Sequence, residues 1–219
     1  MNDATKQSDH SERRRGLIAL LAATALLTAM VSFIARQTAD TIAANKAAQE
    51  MRTILEVAPV ELRSADSSVQ ATFPEGNLTR RDGLTAGLVA YRVTGPATEA
   101  AWVLATTADK AYVEPIRLMV GFSADGMITG VRAVSHRETP GLGDKIDAGK
   151  TDWIRQFDGR KLAVDQPSLK LRRDGGQIDH ISGATITSRS VANAVNAAAG
   201  FYRRHRTELE QGTTKPATN

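Results

Sequence analysis

The sequence contains no cysteine, which excludes disulfides, thiol nucleophiles and any iron–sulfur cluster ligated by this chain. Histidine is scarce as well. The four that occur, His10, His136, His180 and His205, stand without metal-ligand spacing, so a zinc or haem centre has no support. Aromatic residues make up 5% of the chain, and the net charge of +4 is concentrated in Arg13-Arg14-Arg15 and in Arg203, Arg204 and Arg206. No aromatic-studded basic stripe joins these clusters, and no nucleic-acid partner is expected. There is no G-x-G-x-x-G turn for a nicotinamide dinucleotide and no G-x-S-x-G elbow to make Ser182 a hydrolytic nucleophile. Redox work in this chain would therefore need an organic cofactor.

What is present is enough for one domain with appendages: 219 residues, of which 42% are hydrophobic. Residues 1–15 are polar, and residues 16–35 then run without a charge. That run matches the roughly 20 residues a helix needs to cross a bilayer. A cleaved signal peptide shares the basic flank, but this apolar core is long for one, and the Arg36-Gln37-Thr38-Ala39-Asp40 that follows is a weak cleavage site. We expect a retained single-pass anchor. Three arginines before it against Arg36 after it put the N-terminus in the cytoplasm and the remainder outside. Ala43, Ala47, Met51, Ile54 and Leu55 continue a helical spacing until Pro59 stops it.

Beyond this the pattern turns β-like. Residues 62–82 are polar loop with one short strand at most. Strand-like runs follow at 87–94, 101–106, 115–122 and 127–134, with the hairpin pair Asp125-Gly126 between the last two. The fold class expected is α+β: an N-terminal transmembrane helix, then an extracytoplasmic, mostly antiparallel sheet with helices at its ends or on one face. A short helix at 151–157 places Trp153, Ile154 and Phe157 in the core, residues 162–164 form a possible further strand, and Arg172-Arg173-Asp174-Gly175-Gly176 is a turn. No internal repeat is present.

Two stretches carry chemistry. Near the C-terminus, Asp179-His180-Ile181-Ser182-Gly183-Ala184-Thr185-Ile186-Thr187-Ser188 precedes Val191, Ala194, Val195, Ala198, Phe201 and Tyr202, one face of an amphipathic helix ending near Arg206. A loop feeding a helix N-terminus favours an anion, because free backbone N–H groups and the dipole point at it. Gly183 permits close backbone approach, and Ser182, Thr185 and Thr187 offer hydroxyls. The same residues would serve equally as helix caps. The second stretch is Ser135-His136-Arg137-Glu138-Thr139-Pro140-Gly141-Leu142-Gly143-Asp144, a shaped loop at a strand end or a simple turn. His136 and His180 lack a positioned partner and are assigned structural roles.

Together these motifs decide between the readings. Asp179-x-x-Ser182-Gly183-Ala184-Thr185 resembles the flavinylation motif of the FMN-binding subunits of the Rnf and Na+-translocating NADH:quinone reductase complexes. Glu138-Thr139-Pro140-Gly141-Leu142-Gly143 resembles a loop of the same subunits residue for residue. The shorter chain and the Ser-His-x-Glu-Thr-Pro-Gly-Leu-Gly form favour the RnfG family of the Rnf complexes, with the C subunit of the quinone reductase as the alternative. A membrane-anchored binding or sensor module without electron transfer is a third reading, from another class. The resemblance to RnfG implies an electron carrier with FMN joined through its phosphate to Thr185 by a flavin transferase. It implies further that Asp179 is read by that transferase, and that Ser182, Gly183, Ala184, Thr187, Glu138, Thr139, Gly141 and Leu142 surround the flavin. Partners would be the other Rnf complex subunits and the membrane, and no independent catalysis is expected. The organisation expected is a cytoplasmic tail at 1–15, a transmembrane helix at 16–35, a juxtamembrane helix at 36–60, a periplasmic FMN-binding domain at 61–206 and a disordered tail at 207–219, in a bacterial inner membrane.

Overall fold

The computed structural model describes residues 3–64, 66–72, 88–95, 100–161 and 169–211. It divides into two compact units, Met1–Gln49 and Glu50–Asn219. Helix α1, Asp3–Val57, begins in the first unit, and its stretch Arg15–Val57 is long and apolar enough to cross a membrane. Leu17, Leu20, Leu21, Leu26, Leu27, Phe33 and Ile34 are all exposed, so large side chains point outward around the helix with none of the described chain to cover them. Hydrocarbon is the solvent that suits such a surface. Two of the span's hydroxyls bond back to the helix: Thr24 Oγ1 donates to the Leu20 carbonyl at 2.7 Å, and Thr28 Oγ1 to that of Thr24 at 2.8 Å. The run at 16–35 and the helical spacing expected to continue from it towards Pro59 lie within this one helix, as the sequence indicated. It ends at Val57 because Pro59 follows, and a 3-10 turn at Val60–Leu62 redirects the chain.

The second unit is a five-stranded antiparallel meander in the order β1 to β5: Ser68–Thr72, Val89–Thr94, Ala101–Ala108, Ile116–Phe122 and Ile128–Ser135. The Asp125-Gly126 hairpin forms as expected, with Gly126 at φ +85. Helix α2, Thr185–Gln211, lies on one face of the sheet. There Trp102, Leu104, Leu118, Val120 and Phe122 meet Val191, Val195, Ala198 and Phe201, and Tyr202 stacks on Phe122 at 4.7 Å.

The opposite face is not open. Ile54 and Val57 from the last turns of α1, with Ala58 and Leu62, cover Val93, Ala101, Val103 and Met119. Helical cover on one face or at the ends was expected, and the structure covers both. This is why β3 and β4 carry apolar residues on successive positions instead of alternating ones. Two glycines make room for the helix end: a Cβ on Gly121 would collide with the Val57 carbonyl oxygen, and one on Gly130 would stand 3.0 Å from Val57 Cα. Thr129 Oγ1 donates to that same carbonyl at 2.5 Å, and Arg132 Nε to Glu56 Oε1 at 2.6 Å.

Helix α2 runs to Gln211, so residues 207–211 are helical where a disordered tail was expected, and buried Leu209 explains the extension. The 151–157 helix is a 3-10 turn, Trp153–Phe157, with Ile154 and Phe157 buried and Trp153 half-buried. The strand considered at 162–164 and most of the polar loop up to residue 82 lie outside the described residues.

Candidate functional site

The two motif loops meet. β5 ends at Ser135 and delivers the first, and α2 opens with the second. Gly183 lies at φ +78, and a Cβ there would come within 2.9 Å of Leu142 Cδ2. Backbone geometry therefore favours glycine here, and its bare Cα lets the end of the Leu142 side chain pack close to the loop. Gly141 adopts φ +77, and the Leu142 N–H donates to the Thr139 carbonyl at 3.1 Å. The helix begins earlier than expected: Thr185, Ile186 and Thr187 form its first turn, not the loop before it. Ser188 ties that turn to the loop. Its Oγ accepts the Ile181 N–H and donates to the Ala184 carbonyl, both at 2.9 Å.

Between the loops lies a cavity of ≈ 490 Å³ lined by Tyr112, Thr139, Leu142, Gly183, Ala184, Thr185 and Ile186. That volume falls within the roughly 300–1,000 Å³ typical of small-molecule and cofactor sites. Tyr112, Leu142 and Ile186 are exposed large apolar side chains at its edge, suited to a flat aromatic ligand. Thr185 is half-buried in the lining, with its hydroxyl 3.3 Å from Arg173 Nη1.

Of the ten site residues expected, the cavity gathers Thr139, Leu142, Gly183, Ala184 and Thr185. Ser182 and Gly141 are exposed beside it. Glu138 and Thr187 are not among its lining residues. They are buried and bonded to one another, Thr187 Oγ1 donating to Glu138 Oε2 at 2.7 Å, while Glu138 Oε1 accepts the Tyr112 N–H at 3.2 Å. Glu138 is thus a brace joining three segments of the wall. Gly143 leaves space for it, since a Cβ there would collide with Glu138 Oε2. Asp179 is exposed and pairs with Arg172 at 2.7 Å, while its backbone carbonyl accepts Trp153 Nε1–H at 2.6 Å.

His136 is hydrogen-bonded at both ring nitrogens, where the sequence alone offered it no positioned partner. Its Nδ1 accepts the Glu138 N–H at 3.2 Å, which leaves Nε2–H to donate to Asp147 at 2.9 Å. His180 is exposed. Around the loops, Lys150 holds the Asp144 carboxyl below the usual carboxylate range through a 2.9 Å hydrogen bond, and Arg189 does the same to Asp174 with contacts of 2.7 and 3.0 Å. Sequence reasoning missed Tyr112 and Arg173. Neither sits within a motif, and only the fold brings them to the loops.

The comparisons with known proteins agree on this region. Residues 112–200, from Tyr112 to the middle of α2, match the family model described as FMN-binding domain. Over 87% of its length the chain is 34% identical to the G subunit of the ion-translocating oxidoreductase complex of Shewanella baltica, covering 90% of that protein. It is 38% identical to the protein of the same name from Cereibacter sphaeroides over 89% of its length and 84% of the relative's, and 32% identical to that of Vibrio cholerae over 90% and 93%. The chain belongs to the RnfG family. Membership decides between the RnfG family and the C subunit of the quinone reductase, and the matches to these relatives span 87–90% of the chain. The matched FMN-binding segment contains both loops and all the residues that line the cavity.

Proposed function

We propose that this chain is the electron-carrying subunit of a membrane-bound ion-translocating oxidoreductase complex, with FMN attached covalently through its phosphate to Thr185. One observation carries the reading: a half-buried threonine hydroxyl at a helix N-terminus, in the wall of a cavity whose remaining lining is largely apolar. The attached phosphate would rest against the first-turn amides, where a helix favours negative charge. The ring system would lie between Leu142 and Ile186, with Tyr112 across from them. FMN supplies a carrier that takes up and passes on electrons, and the protein's part is to hold it and set its electrostatic surroundings. Thr139 is placed to bond the cofactor's polar edge, and Gly183 allows the backbone to approach it. Thr187, the other first-turn threonine, is withheld from attachment because Glu138 occupies its hydroxyl.

In this reading Asp179 and the exposed loop around Ser182 present the motif to a flavin transferase. The N-terminus is cytoplasmic and the sheet domain periplasmic, in the bacterial inner membrane, where the other complex subunits are the partners. Attachment keeps a cofactor in place where no cytoplasmic flavin pool can replace it. The test is to purify the full chain after co-expression with a flavin transferase and to measure intact mass, followed by peptide mapping. The expected result is the mass of one FMN less water, located on the peptide bearing Thr185 and absent from Thr185→Ala. An unmodified chain beside an active transferase would overturn the proposal.

A further inference from the structure

Arg173 lies outside both motif loops, on the 3-10 turn Arg172–Asp174. Its neighbours are held firmly. Arg172 pairs with Asp179 at 2.7 Å, and Asp174 takes a two-pronged bond from Arg189 of helix α2. Gly175, at φ +82, closes the turn, and the Arg172 N–H donates to the Ile178 carbonyl at 2.8 Å. Arg173 itself pairs with no carboxylate among the described residues. Its side chain donates from Nη1 to Thr185 Oγ1, at 3.3 Å. An exposed guanidinium usually finds a carboxylate or reaches into water, whereas this one is aimed at a neutral hydroxyl. Asp174 is next to it but is committed to Arg189.

From this geometry we infer that Arg173 is the counter-ion of the phosphodiester formed at Thr185, and that it positions the attached flavin. The inference rests on the attachment proposed above. In the transfer, Thr185 Oγ1 bonds to the FMN phosphorus of a flavin dinucleotide, the phosphoanhydride bond breaks, the nucleoside monophosphate leaves and the hydroxyl proton is released, so a singly charged phosphodiester stands at the atom Arg173 already contacts. The guanidinium can then bond the non-bridging oxygens in a fork, which an ammonium group cannot match. First-turn amides of α2 complete the seat from the other side. The Asp174–Arg189 clamp keeps the 3-10 turn in register with the helix, so the cation arrives already in place. Arg173 is therefore a positioning residue that acts on the phosphate and not on the ring.

The experiment compares wild type with Arg173→Ala, Arg173→Lys and Arg173→Gln in the full chain, each co-expressed with a flavin transferase. Flavinylated fraction over time, flavin fluorescence anisotropy and melting temperature are measured together. Charge-assisted bonds to phosphate at an exposed site predict a flavinylation rate about five- to tenfold lower in Arg173→Ala, with lower anisotropy in the fraction that is modified. Arg173→Lys should recover part of both, and Arg173→Gln neither, at melting temperatures close to wild type. A role confined to fold stability would instead lower the melting temperature and leave anisotropy unchanged. That result, or wild-type rate and anisotropy in Arg173→Ala and Arg173→Gln, would overturn the inference while leaving attachment at Thr185 intact. An unmodified wild-type chain would remove the attachment reading and this inference with it.

Discussion

Replacing Glu138 by alanine should loosen the wall of the cavity between the two loops more than any other single change in its lining or support. The side chain is buried, 6% exposed, and accepts two hydrogen bonds from segments distant in sequence, Tyr112 and Thr187. Alanine strands both donors. A buried donor left without an acceptor costs about 1–3 kcal/mol. Thr187, at 1% exposure, should take the middle of that range, about 2 kcal/mol, whereas the Tyr112 N–H in an exposed loop can turn to water and stays near the lower end, about 1 kcal/mol. The total is about 3 kcal/mol. At roughly 2–4 °C per kcal/mol for a unit of this size, melting should fall by about 6–12 °C.

Glutamine is the control that separates hydrogen bonding from bulk. Its carbonyl oxygen can still accept the Tyr112 N–H, and its amide can donate to Thr187 Oγ1 once that hydroxyl rotates. Glu138→Gln should then cost about 1 kcal/mol or less. Thermal unfolding of the full chain in detergent, followed by near-ultraviolet circular dichroism of Trp102 and Trp153, measures both variants. The brace predicts non-additivity as well: Glu138→Ala with Thr187→Val should be about 1 kcal/mol less destabilised than the sum of the single changes, because the stranded hydroxyl is gone. If alanine and glutamine melt together, or the double variant is additive, Glu138 is not a brace.

Thr187→Val should keep full flavinylation in the intact-mass assay, since its hydroxyl is already engaged, whereas Thr185→Val should lose it completely. Gly121→Ala should destabilise the domain by about 1–3 kcal/mol through overpacking and expose the α1 end to limited proteolysis, because the added carbon meets the Val57 carbonyl. Asp174 is held below its ordinary value by Arg189, so the clamp's stabilisation is present above pH ~4 and lost as pH falls through the depressed value. Hydrogen exchange at amides 172–178, corrected for intrinsic rates, should be flat from pH 7 to about 4 and accelerate below it, and Arg189→Gln should be fast throughout.

The meander, the anchor and the Asp125-Gly126 hairpin were legible because each depends on neighbours in the chain: a run of apolar residues, a period of two, a turn pair with one residue at positive φ. The motif around Thr185 was legible as a motif for the same reason, being a local run of residues. What escaped depends on separation. Nothing near Gly121 announces that it faces Val57, yet that contact is what seats the end of α1 on the second face of the sheet. Glu138 and Thr187 stand 49 residues apart, and each, taken within its own loop, looked like a flavin contact. Once joined, they form the support instead of the surface. Arg173 was passed over as part of a turn, though its separation from Thr185 is only 12 residues, because the intervening chain must fold back through Gly175 and the Arg189 clamp before the two meet. A local motif can therefore point to the hydroxyl proposed for attachment, whereas the groups that brace its surroundings and contact it come from segments that motif does not contain. Substitutions at Glu138 and Arg173 separate these two duties: the first should act mainly on melting temperature, the second on flavinylation and anisotropy.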